Sequence, residues 1–203
     1  MRKLVSVFTP MAFVLAAVLF AVPASAQSGG GCHLQGNASF SPGLTNNDQA
    51  FNYSFAGQLS SCQSSEAGAP ASGSVEAGKV YTDPTGEQFQ EPVPSGQGSC
   101  ATGTTSGIAI ATWADGTRTV VSYNTTSAAA AVHLTGTVIQ SVTLPAINPQ
   151  VGQPTSTTIT TTRYAGDSAL GELTFQPPDP TACNTVGGVT SAGIDGFIGL
   201  GSS

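Results

Sequence analysis

Cys32-His33-Leu34-Gln35-Gly36-Asn37-Ala38-Ser39-Phe40 and Phe51-Asn52-Tyr53-Ser54-Phe55-Ala56-Gly57-Gln58-Leu59 are the two stretches from which the fold is read. Each alternates with the two-residue period of a strand. One face of the first carries Leu34, Gly36, Ala38 and Phe40. One face of the second carries Phe51, Tyr53, Phe55, Gly57 and Leu59. Folded antiparallel about the turn-rich segment 41–50, they set Leu34 opposite Leu59, Gly36 opposite Gly57, Ala38 opposite Phe55 and Phe40 opposite Tyr53. Apolar meets apolar throughout, which is what specifies register. Cys32 then falls opposite Ser61, one residue short of Cys62, an offset that a strand end absorbs. The register therefore predicts a Cys32–Cys62 disulfide, and the remaining pair is Cys100–Cys183.

The rest of the chain is also punctuated as strands. Ile108–Tyr123 predicts a hairpin about Asp115-Gly116, with Ile110 opposite Val121 and Ile108 opposite Tyr123 as core pairs. The other face then holds Trp113 against Arg118, a candidate cation–π pair. Further strands are expected over 131–138, continued past a kink by 141–144, and over 155–164, 170–175 and 189–200. Ala128–Ala131 is the nearest approach to a helix, and it is short and uncapped. Gly36, Gly57 and Gly136 sit in mid-strand, where glycine marks a bend or a close backbone approach and lets a sheet coil and close. The expected fold is an all-β antiparallel barrel of about eight strands, with a β-sandwich as the alternative. Segment 63–99 reads as a long acidic loop rich in Gly, Pro and Ser, in which only 73–81 looks like strand.

Residues 1–26 read as a helical secretory signal peptide. Arg2 and Lys3 precede an apolar run, Pro23 breaks it, and Ala24-Ser25-Ala26 suits signal peptidase. The expected product is residues 27–203, a single secreted, extracellular β-domain with no membrane anchor after cleavage. No second run approaches the roughly 18 apolar residues of a membrane helix. Four cysteines in an oxidising compartment are an even set, for which three connectivities exist. Past residue 26 the only cations are Lys79, Arg118 and Arg163, against all eleven carboxylates. Nucleic acids and anionic membranes require clustered Lys and Arg, so neither is an expected partner. The charge suits a soluble monomer.

Candidate chemistry is sparse. Gly166-Asp167-Ser168 offers a serine nucleophile, but the D-x-x-H block of GDSL-type esterases is missing. His33, Asp115 and Ser168 follow the chain order of a trypsin-like triad, yet Ala169-Leu170 follows the serine and Cys32 precedes the histidine. A serine needs a base within hydrogen-bond reach, and nothing in the spacing supplies one. His33 and His133 occupy matching positions in His33-Leu34-Gln35-Gly36 and His133-Leu134-Thr135-Gly136, and would meet over a metal only on adjacent strands. Asp83, Glu87 and Glu91 lack the spacing of a calcium loop. Asn37, Asn52 and Asn124 lie in N-x-Ser/Thr sequons, and 155–162 is a threonine-rich strand. No cofactor is expected.

A resemblance completes the reading. It rests on Pro42-Gly43-Leu44, Cys62, Gly98-Ser99-Cys100, Thr104-Thr105-Ser106-Gly107 and Trp113-Ala114-Asp115-Gly116-Thr117. Gly166-Asp167-Ser168-Ala169-Leu170 and Pro177-Pro178-Asp179-Pro180-Thr181-Ala182-Cys183 extend it. Together these resemble small secreted actinobacterial proteins of uncharacterised function. The resemblance implies export from a Gram-positive cell and brings no activity. The expected function is a non-catalytic module that binds an extracellular ligand or protein. The alternative is a secreted hydrolase using Ser168 or the Asp83, Glu87 and Glu91 carboxylates.

Overall fold

The computed structural model describes residues 29–201. The expected signal peptide lies outside the described residues. Thirteen strands form: β1 (Gly29–Leu44), β2 (Gln49–Ser64), β3 (Gly73–Ala77), β4 (Val80–Thr82), β5 (Gln88–Gln90), β6 (Ser95–Gly98) and β7 (Thr102–Trp113). β8 (Arg118–Ala128), β9 (Ala131–Ile139), β10 (Ser141–Pro145), β11 (Ser156–Thr160), β12 (Ser168–Gln176) and β13 (Val189–Gly201) follow. A short 3₁₀ turn at Pro180–Asn184 precedes β13.

The strands close into an eight-position antiparallel barrel in the order β1, β13, β12, β9, β8, β7, β3, β2, with β2 returning to β1. The last position is shared. β3 bridges β2 and β7 through Phe55–Leu59 and Ile110–Trp113, while β6 bridges the same two strands further along, through Gln49–Asn52 and Gly103–Ser106. The chain between them leaves the wall.

The β1–β2 register is the one read from alternation: Leu34 faces Leu59, Gly36 faces Gly57, Ala38 faces Phe55 and Phe40 faces Tyr53. An irregularity between Gly31 and His33 absorbs the offset at Cys32, with Ser61 at positive φ. Both disulfides form as expected, Cys32–Cys62 and Cys100–Cys183. The paired glycines have a packing role. A Cβ on Gly36 would run into the Ala56 carbonyl and the Phe55 ring, and one on Gly57 would meet the same ring at 2.7 Å. Bare backbone at these positions lets the Phe55 ring lie against the inner wall.

The β7–β8 hairpin differs from its expected register by one residue. Thr112 pairs with Arg118, Ile110 with Val120 and Ala109 with Val121. Three residues rather than two make the turn, with Gly116 at φ 81° and Trp113 N–H donating to the Thr117 carbonyl at 2.9 Å. Asp115 Oδ1 accepts from the Thr117 amide at 2.9 Å, which favours this longer turn. A slip of one residue exchanges the faces of a strand. Val121 and Tyr123 therefore point inward with Ala109, Ala111 and Trp113, while Ile108, Ile110 and Val120 point outward. The expected Trp113–Arg118 contact does not form. Trp113 is buried in the barrel core, and Arg118 lies outside over the Tyr81 ring, 5.2 Å from its centroid.

The outward apolar face of β7–β8 is covered by a second layer absent from the sequence reading. Segment 63–99 is not one long loop but holds β3, β4, β5 and β6. β10 does not continue β9 in the barrel; it pairs with β11 in a separate hairpin. β4–β5 and β10–β11, joined by a Phe89–Ala146 bridge, enclose Phe89, Leu144, Ile159 and Val120 against the wall. Each of these four is at most 2% exposed. The Ala-rich 128–131 segment is the tight β8–β9 turn.

Candidate functional site

The barrel interior is incompletely filled. It contains a cavity of about 170 Å³. Its walls come from inward positions of every stave: Leu34 from β1, Phe55 from β2, Val75 from β3, Ala109 from β7, Val121 from β8, Leu134 from β9, Leu173 from β12 and Ile198 from β13. Among the described residues, no Asp, Glu, Lys, Arg or His lines it.

One end of the barrel is plugged. Trp113 meets Tyr164 edge to face, with ring centroids 5.8 Å apart. Trp113 Nε1–H donates to Thr119 Oγ1 at 2.9 Å, and the Thr119 hydroxyl donates to the Arg163 carbonyl at 3.0 Å. The Arg163 guanidinium then bridges two loops, donating to Glu66 at 2.9 Å and to Asp115 at 2.9 Å. Near this end lies Asp167, whose carboxyl is held above the usual carboxylate range by burial, with Glu66 adding to the effect.

The cavity reaches toward the opposite end. Ser99, Gly103, Ser127 and the exposed Ala129 stand around the cavity there. Across the mouth, Phe40 makes ring contacts with Phe51, Tyr53 and Phe175 at centroid distances of 5.8–6.1 Å. The Cys100–Cys183 disulfide ties the 3₁₀ turn to this cluster.

A row of four hydroxyls interrupts the apolar wall. Tyr123 and Tyr53 hydroxyls are 2.6 Å apart, Tyr53 is 3.0 Å from Thr105 Oγ1, and Thr105 is 2.8 Å from Thr125 Oγ1. Burial raises the pKa of both phenols. The meeting of these hydroxyls escaped the sequence reading. Its available signal was Tyr53 on the apolar face of β2 and Tyr123 and Thr125 at alternate positions of β8.

The residues singled out from sequence are not brought together. Ser168 Oγ donates to the Gly201 carbonyl at 2.6 Å, at the start of β12. His33 contacts Asp195 at 3.1 Å, and Asp115 is engaged by Arg163. The three residues that follow triad order in the chain thus lie in separate places. His133 contacts Glu172 at 2.6 Å. With β13 and β12 between β1 and β9, the two histidines stand about 14 Å apart by strand spacing, too far to share a metal. Among the described residues no group of three metal-ligating side chains assembles. Asp83 accepts from the Thr85 and Glu87 amides within its own turn, which with the Thr85 hydroxyl lowers its pKa. Glu91 is 2% exposed, and its Oε2 accepts the Lys79 amide at 3.0 Å. Burial pushes its carboxyl up to about 7.

The chain matches no protein family, no curated protein and no solved structure in the three comparisons made.

Proposed function

We propose that this protein is an exported binding module that holds a small apolar molecule inside its barrel. The carrying observation is the cavity of about 170 Å³, walled mainly by aliphatic and aromatic side chains and reaching the exposed Ala129 at one end. Eight-stranded barrels have interiors wide enough to hold one small ligand, and ligand sites are concave and mostly apolar. For scale, an apolar cavity of about 150 Å³ accepts a benzene ring. The two disulfides and the signal-like residues 1–26 support action outside the cell. Removing an apolar molecule from water into this interior supplies the affinity, at about 25 cal/mol per Å² buried.

The test is an NMR titration of the oxidised protein with toluene. The expected result is shifts at Val121, Leu134 and Ile198. Ala109→Leu and Val121→Phe fill the interior and should abolish them. The reading fails if toluene moves none of these resonances, or if the filled variants fold and bind it equally well. N-terminal sequencing of the exported chain tests the location, with Gln27 expected first.

A further inference from the structure

We infer that the ligand of the lumen is uncharged and presents one hydrogen-bond acceptor, a carbonyl or ether oxygen, to the hydroxyl row of Tyr123, Tyr53, Thr105 and Thr125. This rests on the lumen being the binding site and adds the chemical class of its occupant.

Each of the four hydroxyls brings one O–H. Three contacts join them, at 2.6, 3.0 and 2.8 Å. Whichever way the bonds run, three contacts use three protons and one is left over. A donor facing an apolar cavity without an acceptor costs about 1–3 kcal/mol, so once an occupant displaces water from the lumen the fourth proton needs an acceptor on that occupant. Acidity sets the direction. A phenol is the stronger donor and an aliphatic hydroxyl the better acceptor, so the row runs from Tyr123 to Tyr53 to Thr105 to Thr125. The spare proton then belongs to Thr125. That residue lines the cavity on β8 and is only partly buried, whereas Tyr123 at the other end of the row is 6% exposed. Thr125 Oγ1 has no second hydrogen-bond partner among the described residues.

Charge narrows the class further. Arg163 is committed to Glu66 and Asp115 beyond the plugged end. Arg118 lies outside, over Tyr81. Among the described residues no cation lines the cavity, so a carboxylate drawn inside would be desolvated without a partner, which is prohibitive. Cavity size limits the apolar part to about one aromatic ring or a short aliphatic chain. Small aryl or alkyl ketones, esters and ethers meet all three conditions.

The experiment compares acetophenone, ethylbenzene and benzoate, which share a ring and differ in the polar group. Each is titrated into the oxidised full-length secreted chain and followed by NMR. Acetophenone is expected to bind about fivefold more tightly than ethylbenzene, the worth of one neutral hydrogen bond. Benzoate is expected to produce no lumen shifts. Thr125→Val should bring acetophenone down to the level of ethylbenzene in the same variant, and Thr125→Ser should restore the preference. Equal affinity of the unaltered protein for acetophenone and ethylbenzene overturns the inference and leaves the lumen site intact. So does a preference that survives in Thr125→Val. Failure of ethylbenzene and acetophenone alike to bind removes the lumen site and this inference with it. If Thr125→Val does not fold, the comparison on the unaltered protein decides alone.

Discussion

The two ends of the barrel are held by different chemistry. At the plugged end, polar bonds converge from three loops. Arg163 spans Glu66 and Asp115, and Thr119 joins the Trp113 ring to the Arg163 backbone. At the mouth, an aromatic cluster is backed by a disulfide reaching from Cys100 to Cys183. The first arrangement fills the interior with side chains. The second lines the cavity with its rings without filling it. An open site needs a rim that stays in place without filling the opening. A crosslink does this without occupying the centre, whereas a plug of rings and ion pairs cannot.

The largest test of this contrast is removal of each crosslink. Loop entropy alone assigns about 4.6 kcal/mol to Cys100–Cys183, with its separation of 83 residues. Cys32–Cys62, with a separation of 30, is assigned about 3.6 kcal/mol. Double Cys→Ala variants unfolded in urea should follow that order, and only loss of the mouth bridge should weaken toluene binding in protein that is still folded. The reverse order would mean that the aromatic cluster holds the mouth unaided.

Thr119→Val comes next. It keeps the shape and strands the buried indole N–H of Trp113, costing about 1–3 kcal/mol. Near-UV circular dichroism should show a loosened indole, while cavity binding is retained. A stability change no larger than that of an exposed Thr→Val would break the picture of a locked plug.

Between the ends, at the gap separating β3 from β6, Glu91 sets a pH dependence. Its folded-state pKa of about 7 stands above the ordinary glutamate value of 4.5. The folded state therefore holds the Glu91 proton more firmly than the unfolded chain, and the contribution of this group to stability is full below about 4.5. It declines as pH rises through about 7, where the buried carboxyl ionises. The melting temperature should fall by a few degrees across that window, and Glu91→Gln should flatten the fall. Asp167, raised by burial, contributes in the same direction, so the variant isolates Glu91. A rising melting temperature across the window contradicts this.

The smallest effect is expected at Arg163→Met. Its ion pairs are partly solvated, so screening limits the loss to about 1 kcal/mol, shrinking further in high salt. Urea unfolding at low and high ionic strength measures it. A salt-independent loss would place the contribution in packing of the stem over Tyr164 rather than in charge.

Much of the frame is legible in the chain. β1 and β2 show how: their apolar residues occupy one face, so only one register buries them, and the Cys32–Cys62 bond follows from it. β7 and β8 show where legibility ends. Ile108, Ile110 and Val120 on one face match Ala109, Val121 and Tyr123 on the other in apolar character. With both faces apolar, alternation no longer says which is inside, and a one-residue difference in turn length reverses the answer. Asp115, whose side chain accepts the Thr117 amide, selects the longer turn. The outer layer is hidden for a related reason. β4 and β5 have three residues each, too short for a period to register among Gly, Pro and Ser, so Phe89 reads as an isolated apolar residue in a loop.

Local pattern by itself therefore determined the all-β class, the strand positions around the mid-strand glycines and both disulfides, because each depends on periodicity or on one unambiguous pairing. The direction of the Trp113 face, the separation of the two histidines and the vacant interior with its four joined hydroxyls were decided only by closure of the barrel. Closure makes residues far apart in the chain, such as Tyr53 and Tyr123, neighbours across a wall. No local periodicity encodes whether the space they enclose will be filled.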